Sequence, residues 1–146
     1  MQRNLRQFAR AYESDALEAR VLGANPAELV EMLYAGAIGA IRAASLAIEA
    51  GEFTKKAAYV NKALDIISGL DVTLDHARGG EISANLAALY DYAKRRMMEG
   101  SASNDRSKLE EVVVLLETVR EAWEELGRQQ RAGGNGLGSS HGAITV

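Results

Sequence analysis

The sequence predicts an all-α protein folded as an antiparallel, up-down-up-down four-helix bundle with a short N-terminal helix or arm. Only one proline interrupts the 146 residues, so long stretches of the chain can remain helical. Aromatic residues make up 5% of the chain while alanine and leucine abound, a composition that favours helices over strands. Glycines separate four segments with helical periodicity; they are Gly23, Gly51, Gly79, Gly80, Gly100 and a cluster from Gly133 onward.

The first predicted helix has a well-marked start. Asn25 is a suitable N-cap, Pro26 fits the first helical position, and Glu28 stands where a capping box needs its acidic residue. Apolar residues then recur at helical spacing until Gly51, which predicts the end of the helix. Residues 35–44 are unusually small, and both close helix packing and room for a partner in a groove explain this composition.

The second predicted helix runs from about residue 55 to about residue 77, with Thr54 as its cap. Its apolar stripe is wider than one buried face requires. That extra apolar surface must contact either two neighbouring helices or a bound polypeptide. The residues that form this wide stripe are Val60, Ala63, Leu64, Ile66, Ile67, Leu70 and Leu74.

The third helix is predicted to begin after Gly79-Gly80 and to end at Gly100. The fourth begins near Asn104 or Asp105, either of which can cap it, and has an apolar stripe opposite a glutamate-rich face. Short connections place consecutive helices side by side and antiparallel. The predicted organisation is an arm over residues 1–24, the bundle over 25–130, and a disordered Gly/Ser-rich tail over 131–146.

Several classes of function are excluded by composition. The net charge of −3 and the absence of a concentrated basic face argue against nucleic-acid binding. The chain has no cysteine, which excludes thiolate chemistry and fits a reducing cytosol. No continuous apolar run approaches the roughly 20 residues that span a bilayer, and no signal peptide is evident. We therefore expect a cytoplasmic protein without membrane insertion.

The sequence also predicts no chemistry. His76 is expected near the C-terminus of the second helix, where the helix dipole favours it, and His141 lies in the tail. A di-metal bundle needs Glu-x-x-His pairs, but Thr73 stands three residues before His76. We therefore expect no catalytic residue, no metal and no cofactor, which leaves the binding of another polypeptide as the function.

The block Gly79-Gly80-Glu81-Ile82, followed by Asn85-Leu86 and Leu89-Tyr90-Asp91-Tyr92, resembles the FliS family of flagellar secretion chaperones. The likeness extends over roughly residues 11–126 almost without gaps, and departs from the family at Ala35, where an acidic residue is typical. The most specific block is Gly-Gly-Glu-Ile followed by Asn-Leu and Leu-Tyr-Asp-Tyr. The matching stretches are 11–12, 24–34, 62–67, 79–82, 85–92, 95–96, 104–105, 110–112 and 122–123.

The resemblance implies an export chaperone that binds the C-terminal segment of flagellin, a segment that is disordered before assembly and becomes helical in the filament. Binding would prevent premature polymerisation, and the loaded complex would be delivered to an export gate protein of the flagellar type III apparatus. Carried over to this chain, the expected partner-binding residues are Tyr12, Val21, Leu22, Met32, Leu33, Ile67, Leu70, Leu74, Leu89, Tyr90 and Tyr92.

Two other functions remain open from the residues alone. The same apolar surface can serve a self-associating helical adaptor, which would form a homodimer. A metal-binding helical bundle is the other alternative, and it requires clustered inward-facing glutamate and histidine side chains.

Overall fold

The computed structural model describes residues 23–133, and this part of the chain forms four α-helices. They are α1 (Pro26–Glu49), α2 (Phe53–Val72), α3 (His76–Ser103) and α4 (Arg106–Gly133). Helix α1 packs against α2 and α4, and α3 packs against the same two helices from the other side. The predicted all-α four-helix bundle is confirmed. The predicted arm, except for its last two residues, and the tail beyond Gly133 lie outside the described residues.

The capping box predicted at the start of α1 is confirmed. Asn25 Oδ1 accepts a hydrogen bond from the Glu28 N–H at 2.9 Å, and Glu28 Oε1 accepts one from the Asn25 N–H at 3.1 Å. Asn25 Nδ2 also donates to the Gly127 carbonyl at 3.2 Å, so the cap connects α1 to α4. Gly51, with φ +74°, follows the end of the helix as predicted.

The predicted boundary between the second and third helices was wrong. Helix α2 begins at Phe53, ahead of Thr54, and ends at Val72 instead of near residue 77. His76 is the first residue of α3, so its interpretation as a residue at a helix C-terminus was also wrong. The cause is the Asp75 side chain, which accepts a hydrogen bond from the Arg78 N–H at 3.1 Å and caps a new helical turn.

Glycines have different roles at the two ends of α3. Gly80 leaves helical geometry at φ 50° and ψ −121°, so the regular part of α3 begins after Gly79-Gly80 as predicted. Gly100 does not end the helix, which continues to Ser103 and is capped by Asn104 at φ 52°. A Cβ added at Gly100 would lie 3.1 Å from the Asp105 carbonyl oxygen, so this glycine permits the close approach of α3 and α4.

Among the described residues, the bundle core is mainly aliphatic and includes a buried pair of tyrosines. Tyr34 on α1 donates its hydroxyl hydrogen to the Tyr90 hydroxyl on α3 at 2.8 Å, across the bundle. Burial raises the pKa of Tyr34 to about 12 and also raises the pKa of Tyr90. Helix α1 has the length and apolarity of a membrane-spanning segment, but many of its apolar side chains lie in this core.

Ion pairs join α1 to α4 along the edge of their contact. Arg120 Nε lies 2.8 Å from Glu31 Oε1, and Arg131 Nε donates to Glu28 Oε2 at 2.9 Å. The Arg131 bond lowers the pKa of the Glu28 carboxyl below its ordinary value. Because Arg131 is helical and contacts α1, the bundle continues past residue 130, where the tail was predicted to begin.

Candidate partner-binding surface

Apolar side chains that are incompletely covered lie along the facing edges of α3 and α4. Ile82 on α3 is 57% exposed, and the other members of this set are partly buried. We call this surface the α3–α4 groove. It consists of Ile82, Leu86 and Leu89 on α3 and of Leu115, Val119 and Leu126 on α4.

Helical spacing and the antiparallel register bring these residues together. Within each helix the members are three, four or seven residues apart, which places them on one side. Gly100 packs beside Leu109, and Arg96 Nε donates to Glu111 Oε1 at 2.8 Å, which fixes the register of the two helices. Continuing that register toward the start of α3 brings Leu89 level with Val119 and Ile82 level with Leu126.

The groove is closed by polar contacts at the C-terminal end of α3. Glu111 on α4 accepts hydrogen bonds from the Tyr92 hydroxyl and from Arg96, and these bonds lower the pKa of Glu111. On the opposite side, the Lys56 ammonium of α2 donates to the Ser101 carbonyl and to Asn104 Oδ1, each at 2.8 Å. In the described chain, no side-chain hydrogen bond or ion pair joins residues 76–89 of α3 to α4.

The structure separates the predicted partner-binding residues into three groups. Leu33, Ile67, Leu70 and Tyr90 are buried in the core, and Tyr90 is only 1% exposed. Met32, Leu74 and Leu89 are partly buried against the core, while Tyr92 is exposed at the edge of the groove. Tyr12, Val21 and Leu22 lie outside the described residues. Leu89 and Tyr92 are therefore the predicted residues that the structure brings to the groove, and the partner-binding role of all eleven stays a prediction.

Sequence reasoning did not select most of the groove. The predicted partner-binding set does not include Ile82, Leu86, Leu115, Val119 or Leu126. A usable signal was present in α3, because its buried positions include the small residues Ser83, Ala93 and Gly100. Small core residues leave the larger side chains beside them at the edge of the helix contact.

Some of the small residues of α1 are buried in helix contacts, and others are not required by them. Ala37, Ala40 and Ala44 are buried, which supports close packing against the neighbouring helices. A Cβ at Gly36 would lie 3.6 Å from Ile66 Cδ1, an ordinary contact, and a Cβ at Gly39 would meet open space. Neither glycine is therefore required by the packing of α1 within the bundle.

The described residues favour binding over chemistry. Within 23–133 there is no group of three histidine, aspartate or glutamate side chains placed to hold a metal ion. The groove instead presents aliphatic side chains between helices, with Tyr92, Arg96 and Glu111 as a polar border. Such a surface suits an apolar helical segment of another protein.

Comparison with known proteins identifies the family. A family model described as flagellar protein FliS matches residues 8–130. The flagellar secretion chaperone FliS of Salmonella typhimurium is 41% identical over 118 residues, which cover 80% of this chain and 87% of that protein. FliSB of Pseudomonas aeruginosa is 39% identical over 77% of this chain and 90% of its own length, and FliS of Bacillus subtilis is 35% identical over 88% and 92%. The chain therefore belongs to the FliS family of flagellar secretion chaperones.

Proposed function

We propose that this protein is a cytoplasmic export chaperone that binds the disordered C-terminal segment of flagellin, prevents premature filament polymerisation and assists delivery to the flagellar type III export apparatus. An export gate protein receives the loaded complex. Membership in a family of secretion chaperones supports the general role. The observation that carries the binding step is the α3–α4 groove, whose aliphatic side chains are left partly uncovered by the bundle.

An amphipathic segment of flagellin fits this groove for a physical reason. Its apolar face covers Ile82, Leu86 and Leu89, and burial of apolar surface stabilises the complex by about 25 cal/mol per Å². Because the segment is disordered when free, it loses conformational entropy on binding, and this cost offsets much of the gain. The affinity is consequently moderate for the area buried, which permits release at the export gate.

The predicted partner-binding residues have different roles in this proposal. Leu89 and Tyr92 contact the segment directly, since they lie at the edge of the groove. The buried members support the groove from the core beneath it. Tyr12, Val21 and Leu22, which lie outside the described residues, take part in binding. The buried and partly buried supporting members are Met32, Leu33, Ile67, Leu70, Leu74 and Tyr90.

The test compares two substitutions of similar exposure on different surfaces. Ile82→Asp places a charge in the groove, while Val114→Asp places one on α4 outside it; the native side chains are 57% and 66% exposed. Each chaperone is co-expressed with flagellin and the complex is followed by size-exclusion chromatography with light scattering. We expect Ile82→Asp to lose flagellin and Val114→Asp to retain it, with both proteins folded by circular dichroism.

A truncated flagellin completes the design. Flagellin that lacks its C-terminal segment should not co-elute with the wild-type chaperone. Co-elution of the truncated flagellin with the chaperone, or absence of any complex with full-length flagellin, would refute the proposal. Light scattering of the chaperone alone at several concentrations reports whether the same surface forms a homodimer.

A further inference from the structure

Gln130, in the last turn of α4, has an unusual environment. Both polar atoms of its side-chain amide, Nε2 and Oε1, are buried and have no hydrogen-bond partner among residues 23–133. The residue as a whole is partly exposed, so the amide lies just beneath the surface. Trp123 and Leu126 precede Gln130 by seven and four residues, which places all three on one side of α4.

An unpaired buried amide destabilises the free protein. Buried polar groups in folded proteins are nearly always hydrogen-bonded, because water no longer satisfies them. Methionine at position 130 would have a similar length and would fill the same space without a donor or an acceptor to satisfy. The amide therefore adds nothing to the stability of the free bundle, and no residue of 23–133 engages its donor or its acceptor.

The position of Gln130 connects it to the α3–α4 groove. Leu126 is the last groove residue on α4, and Gln130 follows it by one helical turn on the same side. The register set by Arg96 and Glu111 brings this turn level with the start of α3, where Gly80 interrupts helical geometry. In the described chain, polar contacts between α3 and α4 close the other end of the groove. Gln130 thus lies at the open end.

We propose that the Gln130 amide hydrogen-bonds a main-chain peptide group of the bound flagellin segment, at a point where that segment is not helical. This inference rests on the proposed function. A side-chain amide offers one acceptor oxygen and an N–H₂ donor, which complement the N–H and C=O of a peptide unit. Inside a helix those backbone groups are already paired, so only a helix end or an extended stretch leaves them free. In this proposal, the buried amide reaches the bound segment by rotation about the side-chain bonds of Gln130.

The experiment measures the stability of the free chaperone and its affinity for flagellin separately. Gln130→Met should raise the midpoint of thermal unfolding of the free protein, because the unpaired amide is removed. The same variant should bind a peptide of the flagellin C-terminal segment about tenfold more weakly by isothermal titration calorimetry, since one or two hydrogen bonds are lost. Gln129→Met is the matched control, because Gln129 is exposed and its Nε2 donates to Glu125 within α4; its affinity should match the wild type.

The outcomes distinguish this inference from the proposed function. Gln130→Ala is a second variant that removes the amide without requiring methionine to fit, and it should weaken binding to a similar extent. If the wild type binds the peptide and both Gln130 variants bind it equally well, the amide has no role in recognition and the inference is overturned alone. If the wild type itself does not bind the peptide, the proposed function fails and this inference fails with it.

Discussion

Two glycine-to-alanine substitutions in α1 and α4 should change stability in opposite directions. Gly39 lies in the interior of α1, and a Cβ added there meets nothing within 4 Å. Alanine should therefore stabilise the protein by about 1 kcal/mol, because glycine loses more backbone entropy in a helix. A Cβ at Gly127 on α4, in contrast, would lie 2.8 Å from Glu28 Cγ and 3.4 Å from the Glu28 backbone nitrogen.

The magnitude at Gly127 follows from what Glu28 does. Its N–H and its carboxylate form the capping box with Asn25, and Arg131 contacts the same carboxylate. A clash at Cγ displaces the side chain near its base, where rotation of the distal bonds gives no relief. Overpacking of this kind costs about 1–3 kcal/mol and loss of a cap about 1 kcal/mol, against a helix-propensity gain of about 1 kcal/mol. We expect a net destabilisation of about 1–3 kcal/mol.

Thermal unfolding followed by far-ultraviolet circular dichroism measures both effects. At about 3–4 °C per kcal/mol for a chain of this size, Gly39→Ala should raise the melting temperature by about 3–4 °C and Gly127→Ala should lower it by about 3–12 °C. If Gly127→Ala is as stable as Gly39→Ala, then α1 and α4 do not approach each other at this point. The capping box would then be independent of α4, contrary to the structure.

Three further predictions concern the polar groups. Tyr90→Phe removes the acceptor of the buried Tyr34 hydroxyl and should destabilise the protein by about 1–3 kcal/mol in urea unfolding. Tyr34→Phe combined with Tyr90→Phe should cost less than the sum of the two single changes. The pKa of Tyr34 is raised to about 12 in the folded protein, so its hydroxyl ionises at lower pH in the unfolded chain. The free energy of unfolding should therefore fall as pH rises from about 10 to about 12. Absorbance at 295 nm should show that Tyr34 and Tyr90 ionise only when the protein unfolds. The pKa of the Glu28 carboxyl is lowered in the folded state. The carboxylate therefore stabilises the folded protein above its ordinary pKa near 4.5, and this stabilisation is lost as pH falls through the lowered pKa. A melting-temperature difference between wild type and Glu28→Gln that persists at pH 2 would contradict this.

Local signals in the sequence predicted the fold well where they were unambiguous. The Asn25-Pro26-Ala27-Glu28 start of α1 combines a cap, a proline and an acidic partner, and each appears in the structure. The α2–α3 boundary failed because Asp75 forms a new cap in a stretch whose apolar periodicity continues through it. Gly100 permits close packing against α4 and does not mark the end of a helix. The need for a glycine at this position depends on tertiary structure.

The binding surface was less predictable than the fold. Helical spacing shows which residues share a side of a helix, but not which part of that side a neighbour covers. Ile67 and Leu70 on α2 are buried while Ile82 on α3 is exposed, although each of these two helices packs against two neighbours. That difference depends on helix register and rotation, which arise from contacts distant in sequence. The unpaired amide of Gln130 likewise has no local signature.

The polar contacts that α3 makes with α2 and α4 lie toward its C-terminal end, and this has a geometric consequence. Lys56 and Glu111 hold α3 from opposite sides near Ser101 and Arg96. A helix fixed near its C-terminal end can tilt about that end as a rigid body. Over the roughly 20 residues between Ser101 and Ile82, at about 1.5 Å per residue, a tilt of about 5° displaces Ile82 by about 2.5 Å. Under the proposed function, such a tilt would accommodate cargo side chains of different bulk while both anchors remain intact.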